Sequence, residues 1–282
     1  MMEMLGQGRG FVDYGPMQMT IQAAAPGQDA NRLVQTAGDY AMSLLKQVAR
    51  YKMLAARPQS ELPAVVTAPP VLRRMVEAVR QSGDRTLTPM AAVAGAIADL
   101  TADYLVQQGA VKVIANNGGD IAIRLQAGQS VLVGVAASRN SMAGPTLLVT
   151  GESGIGGIAT SGLGGRSFSK GIATAAVAAA GSAALADACA TSIGNAVYTP
   201  HASIRLALAE DLDPNTDIRG HYVVKEAGLL PAGIIQQALA NGRIKAAQLL
   251  SDQIICGAAV FIDDWSTFVP EDWLLVNQRL SI

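Results

Sequence analysis

Apolar positions along this chain of 282 residues recur with two different periods, and the switches between them mark out its elements. Val12 to Ala24 alternates loosely, with Met17, Met19 and Ile21 on one side, and predicts a strand. From Asp29 to Leu54 the spacing becomes three and four. Leu33, Ala37, Tyr40, Ala41, Leu44, Leu45 and Val48 form a helical stripe, with Lys46, Arg50 and Lys52 toward the end where positive charge suits the helix dipole. Prolines interrupt Arg57 to Pro70, and Val71 to Gln81 resumes as a helix that stops at Gly83. Thr88 and Pro89 then supply a capping hydroxyl and a first-turn proline to a helix that runs through Met90, Val93, Ile97, Leu100, Tyr104 and Leu105 to Gly109.

The middle third reads as strands. Val111 to Ile114 and Ile121 to Leu125 flank Asn116-Asn117-Gly118-Gly119, a hairpin signal, because asparagine and glycine accept the positive φ of a type I′ turn. Ser130 to Ala136, Thr146 to Thr150 and Ile155 to Thr160 are further strand candidates, while Ala175 to Ala180 fits strand or helix. Ser182 caps a helix to Ile193, Leu229 to Asn241 and Gly242 to Ser251 are helical, and Ile254 to Ile262 is a late apolar strand. This order predicts an α+β fold with mixed or antiparallel sheets flanked by helices. The whole chain reads as one unit, with two intimate subdomains meeting near residue 110 as the variant.

Half of the residues are hydrophobic, enough for a substantial core, and the net charge of −1 leaves no basic stripe for nucleic acid. The longest uncharged run, Gly171 to Ala186, is made mostly of small side chains and is too short to span a bilayer; with no apolar leader in view, the expectation is a cytoplasmic protein that does not bind membranes. Two cysteines, Cys189 and Cys256, make no disulfide framework and read as reduced thiols. The alanine-rich, sparsely charged faces favour a homodimer.

The candidate chemistry is concentrated between Gly151 and Ala196. Seven of the fifteen residues from Gly151 to Gly165 are glycine, which predicts a loop whose N–H groups approach an anion, with Arg166 and Lys170 beside it. Asp187 and Thr191 stand four apart on a helix, so a carboxylate and a hydroxyl share one face as hard oxygen donors suited to magnesium; the alternative is an exposed Asp and a Thr bonded back to its own helix. Asn117 and Asp120 either offer polar atoms to a ligand or only build the turn. Ser167 and Lys170 match an S-x-x-K nucleophile spacing without its supporting elements, and Asp211, Asp213, Asn215 and Asp217 begin like a calcium loop but lack its glycine and glutamate. His201 and His221 have no partner at metal spacing.

Three ordered blocks, A-N-N-G-G-D-I at 115 to 121, I-A-T-S-G at 158 to 162 and A-L-A-D-A-C-A-T at 184 to 191, resemble those of the ApbE-like superfamily, whose best-known members are FAD:protein FMN transferases. T-P-M-A-A-V-A-G-A-I-A at 88 to 98 and G-L-G-G-R-S-F-S-K-G at 162 to 171 look closer to an uncharacterised branch of it. The resemblance implies the ApbE-like, T-fold-like architecture and a magnesium-dependent enzyme acting on FAD, by transfer of FMN to an acceptor protein or by cleavage of the pyrophosphate. By position, Asp187 and Thr191 match the metal-binding and catalytic pair, and Gly118, Gly119, Asp120, Thr160, Ser161 and Gly162 match the flavin-nucleotide contacts. A main-chain carbonyl near Ala92 or Val93 is a further candidate ligand. A-G-A-I-A-D at 94 to 99 loosely echoes the transferases' K-G-x-x-x-D segment with Ala94 in place of its lysine, and Leu163 to Lys170 replace the histidine and D-P-x-x-G run usually found after T-S-G. The alternative is a non-catalytic carrier of flavin or another phosphorylated ligand beside a redox or sulfur-metabolism enzyme, in which Cys189 would lie near the ligand.

Overall fold

The computed structural model describes residues 1–135, 145–165 and 167–273. Its contacts divide the chain into two units, one of residues 1–130, 150–159 and 179–188, the other of 131–149, 160–178 and 189–282.

The first unit is built on an antiparallel meander of β1 (Met2–Gly6), β2 (Arg9–Tyr14), β3 (Met17–Ala24), β4 (Lys112–Asn117) and β5 (Asp120–Leu125), extended by the start of β8 (Gly157–Ser161), which pairs with β5 at Ile121 and Ala122. The predicted strand from Val12 to Ala24 is thus two. Gly15, at φ +57°, turns the chain so that Tyr14 pairs with Met17. Within β3 the period of two is strict, with Met17, Met19, Ile21 and Ala23 buried and their neighbours exposed.

Four helices accompany this sheet: α1 (Ala30–Arg50), the short α2 (Lys52–Ala55), α3 (Pro70–Gln81) and α4 (Val93–Gln107). Val34, Ala37, Ala41, Leu44 and Val48 of α1 join Leu72 and Met75 of α3 and Ala96, Ile97 and Leu105 of α4 in one core with the inward residues of β3 and β4. Asp29 caps α1, its carboxylate accepting from the N–H groups of Asn31 and Arg32. The helix predicted from Thr88 begins as a 3₁₀ turn over Pro89–Ala92, and α4 proper starts at Val93 without a local side-chain cap. The stretch Pro89–Gln107 is long and apolar enough to cross a membrane by composition, and Ala96, Ile97, Ala98 and Ala102 within it are buried core residues.

In the second unit, β9 (Ala175–Ala180) lies beside β12 (Gly257–Ile262), which pairs antiparallel with β13 (Trp265–Val269). β6 (Ser130–Gly134) with β7 (Thr146–Thr150), and β10 (Ile204–Leu208) with β11 (Tyr222–Ala227), form two further two-stranded sheets; α6 (Ala209–Leu212) is a single turn. The two predicted helices after Leu229 are one, α7 (Ala232–Ser251). Gly242 does not break it, because this glycine is a contact point: a Cβ there would press on Val197 and Val260. β8, β9 and α5 (Ala183–Ala196) each carry residues of both units.

Candidate functional site

The first unit gathers three carboxylates around two helix starts. The turn between β4 and β5 is the predicted one, with Gly118 at φ +71° and Gly119 at φ +113°, and the Gly119 N–H donating to Asn116 Oδ1 at 2.9 Å. Asn117 shares the inward register of Val113 and Ala115, which drives its amide into the interior, where Nδ2 donates to the Ala94 carbonyl at 3.2 Å. A buried amide left unbonded is costly, so this bond ties the hairpin to the head of α4. Asn117 is therefore a structural anchor. Asp120 leaves the same turn on the other side, with its Oδ1 shielded from solvent.

Asp187 comes from the second turn of α5 and caps α4. Its Oδ2 accepts from the Gly95 N–H at 3.1 Å, satisfying a helix-start donor that α4 itself leaves open. Part of Asp187 remains accessible to solvent, yet protein atoms crowd the carboxylate. Burial pushes its pKa well above the usual carboxylate range, the charge of Asp120 adds to the push, and hydrogen bonds from the N–H groups of Gly95 and Ala94 oppose it. Among the described residues Asp187 makes no ion pair, and no three His, Cys, Asp or Glu side chains gather into a metal-binding cluster.

Sequence reasoning missed Asp99. This residue of α4 is fully buried and reaches the start of α5, where Oδ1 accepts from the Ala183 N–H at 3.0 Å and Oδ2 from the Ala184 N–H at 2.9 Å. Ser182 Oγ takes the next N–H, that of Leu185, at 3.3 Å, and the Ser182 carbonyl takes that of Ala186 at 3.0 Å. The first three N–H groups of α5 are thus met by side chains, and the fourth opens the helix's own bonding ladder. Arg124 Nη2 donates to Asp99 Oδ1 at 2.9 Å and its Nε to Asp103 Oδ1 at 2.8 Å, and Arg74 Nη1 donates to Asp103 Oδ2 at 2.8 Å. Burial works against the Arg124 charge, but Asp99 and Asp103 outweigh it and hold the guanidinium above its ordinary pKa. The signal in the sequence is A-G-A-I-A-D at 94 to 99, which loosely echoes the transferases' K-G-x-x-x-D and ends on this aspartate, though it is read there for a main-chain carbonyl and not for its carboxylate.

The glycine-rich stretch is not the open anion loop its composition predicts. A Cβ at Gly156 would overlap the Gly181 carbonyl, one at Gly157 the backbone of Ala183, and one at Gly151 would meet the Gln126 carbonyl at 2.5 Å. In the second unit Gly162, at φ +138°, sits with its missing Cβ 2.7 Å from the Ala173 carbonyl. The N–H groups of Leu163, Gly164 and Gly165 donate to the carbonyls of Ala173, Thr174 and Gly162. These glycines let backbones touch, and the donors that were to cradle a phosphate are already used. Arg166 lies outside the described residues.

The other predicted positions divide between the units. Thr191, Thr160, Ser161 and Gly162 belong to the second; Thr191 is half-buried, Thr160 exposed, and Ser161 Oγ stands 3.7 Å from where a Gly194 Cβ would be. Cys189 is fully buried, and burial pushes its thiol up to about 12, so it packs as a small apolar group rather than presenting a thiol to a ligand. Of the S-x-x-K segment, Ser167 is exposed, whereas Ser169 is buried with Oγ accepting from the Gly171 N–H. Asp213 Oδ1 accepts from Asn215 N–H in a turn, and His201 Nδ1 accepts from Ser203 N–H. Two clefts, of about 450 Å³ along α7 and about 320 Å³ beside Arg124 and Gly154, include neither Asp187 nor Asp120 in their walls.

The fold is similar to a mutant of the flavin transferase ApbE from Vibrio cholerae, at a TM-score of 0.43 and 14% identity, covering 66% of this chain and 85% of that one. It is similar also to the apo flavinyl transferase ApbE from Pseudomonas stutzeri, at 0.43 and 14%, covering 62% and 79%. A UPF0280 protein from Methanosarcina acetivorans is 40% identical over 141 residues, 50% of this chain; the chain spans about half of that relative's length, 54%. A UPF0280 protein from Methanopyrus kandleri is 36% identical over 191 residues, 64% of this chain and 74% of the relative. The family model described as AbpE bacteria matches residues 2–269. With nearly the whole chain so matched, and with the ordered blocks of an ApbE-like protein in place, the chain belongs to the AbpE bacteria family.

Proposed function

We propose that this protein is a magnesium-dependent flavin-nucleotide enzyme, resembling FAD:protein FMN transferases, whose metal corner is built on Asp187. One observation carries the reading. The Asp187 carboxylate is crowded by protein, pushed toward its neutral form by burial and by Asp120, and without an ion pair among the described residues. A divalent cation would supply the missing charge at hard oxygen donors. Asp187 offers a carboxylate, and Thr191, four residues on in the same helix, is assigned the hydroxyl on the family resemblance; water and ligand phosphate would complete the shell, since among the described residues no three His, Cys, Asp or Glu side chains cluster there. Such an ion, when bound, neutralises charge on a pyrophosphate. The chain's own part is to hold the carboxylate through the Gly95 N–H and to bring Gly118, Gly119 and Asp120 to it on a rigid turn. Thr160, Ser161 and Gly162 are assigned to the nucleotide on the family resemblance.

The test combines protein, FAD and magnesium, with and without an acceptor protein bearing D-x-x-x-T, and follows AMP. Release of AMP that needs magnesium and is lost in Asp187→Asn supports the enzyme. FAD binding with no AMP under any condition overturns it in favour of a non-catalytic carrier. One observation favours that second reading: Ala94 stands where the transferases' K-G-x-x-x-D segment has lysine.

A further inference from the structure

We propose that Asp99 is a positioning residue for the Asp187 site, setting its affinity for a divalent cation without touching the ion; this rests on the metal reading above. The geometry is reciprocal. Asp99, four residues after Gly95, binds the first two N–H groups of α5; Asp187, four residues after Ala183, binds the Gly95 N–H of α4. Between these bonds the helices touch backbone to backbone, since a Cβ at Gly95 would overlap the Ala183 carbonyl. The pair is therefore locked at both ends, and the place of Asp187 follows from where Asp99 holds the start of its helix. Asp99 is itself held by Arg124 through Oδ1, the same oxygen that takes the Ala183 N–H.

Asparagine at position 99 tests this with little change of shape. Its carbonyl keeps the bonds to Arg124 and Ala183, but its NH₂ faces the Ala184 N–H, and two donors repel. The start of α5 must shift, and Asp187 with it. Outer-shell partners of metal ligands change affinity by roughly 10- to 100-fold when altered.

The experiment titrates Mn²⁺ into the full chain by calorimetry for the native protein, Asp99→Asn and Asp187→Asn, with Thr20→Val, an exposed position on β3, as control, and follows the Gly95 amide by ¹⁵N NMR in metal-free samples. Expected are loss of binding in Asp187→Asn, weakening of about 10-fold or more in Asp99→Asn, an unchanged control, and in Asp99→Asn a displaced, faster-exchanging Gly95 amide while amides of α1 are unmoved. Should Asp99→Asn fold poorly, Asp99→Glu, which keeps both acceptors on a longer arm, is expected to show the same Gly95 displacement. Native affinity in a folded Asp99→Asn protein, or an unmoved Gly95 amide, would overturn the proposal. If the native protein binds no Mn²⁺ the metal reading fails instead, and the Gly95 amide still decides whether Asp99 places Asp187.

Discussion

Asp99 and Asp187 each cap the other's helix, but among the described residues only Asp99 has an arginine: Arg124 Nη2 lies 2.9 Å from it, whereas Asp187 has the like charge of Asp120 nearby. The same kind of hydrogen bond thus serves a compensated charge at one end of the pair and an uncompensated one at the other.

A pH dependence follows from that difference. In the unfolded chain Asp187 titrates near about 3.9, and in the folded protein well above its ordinary value. Between the two pKa values the folded state holds a proton that the unfolded chain has released, so the contribution of Asp187 to stability is fully present below the unfolded pKa and is lost as pH rises through the folded one. Thermal melts of metal-free protein compared with Asp187→Asn, from pH 4 upward, should show the native protein losing ground to the variant as pH rises. Magnesium should restore the native protein and leave the variant unchanged, by about 2.7 kcal/mol at a hundredfold excess over Kd. A pH-independent difference between the two proteins would contradict this.

Gly95→Ala reverses the usual helix rule. In an exposed helix interior alanine is favoured over glycine by about 1 kcal/mol, but the new Cβ would overlap the Ala183 carbonyl, a backbone atom with no rotamer to escape into. Overpacking of this kind costs about 1–3 kcal/mol, so a lower urea midpoint is expected. Gly134→Ala, with no atom of the described residues within 4 Å of its Cβ, should stay within about 0.5 kcal/mol of the native protein.

Arg124→Met separates a buried ion cluster from a surface one. It leaves Asp99, at 0% side-chain exposure, without its nearest cation, and breaking a buried pair costs roughly 3–5 kcal/mol. Arg243→Met removes an equally short bridge, 2.9 Å to Glu271, between side chains 54% and 84% exposed, where about 1 kcal/mol or less is expected. Chemical denaturation of both variants checks the contrast, and equal losses would refute it.

Cys189 should be inert in the folded protein. Its thiol is buried and pushed up to about 12, so almost none is thiolate at pH 8. Cys256 is only half-buried, with burial raising its pKa as well. Mass spectrometry after iodoacetamide at pH 8 is expected to find Cys189 unmodified until denaturant is added, with any native labelling on Cys256. Rapid native labelling of Cys189 would refute this packing.

What could be read from the sequence was what its own neighbours dictate. The Asn116–Asp120 turn was legible because only a few residues accept positive φ at two successive positions, and α1 because its apolar stripe repeats over several turns. β1, β10, β11 and β13 were not read: they bury at most two residues each and none on alternate positions, so no apolar face marked them. Gly242 was read as a break since a sequence shows a missing side chain but not Val197 and Val260 filling its place.

The candidate site divides along the same line. Local spacing and ordered blocks marked Asp187, Gly118, Gly119 and Asp120, residues whose character lies in a turn or a single helical step. The bond from the Gly95 N–H to Asp187 spans 92 positions and those from the Ala183 and Ala184 N–H groups to Asp99 span 84 and 85, and nothing local records them. Tertiary structure alone decided that Gly151, Gly156, Gly157 and Gly162 lie against neighbouring backbone, and that two aspartates secure each other's helices, because a hydrogen-bond donor at a helix start takes whichever acceptor the packed chain brings within reach.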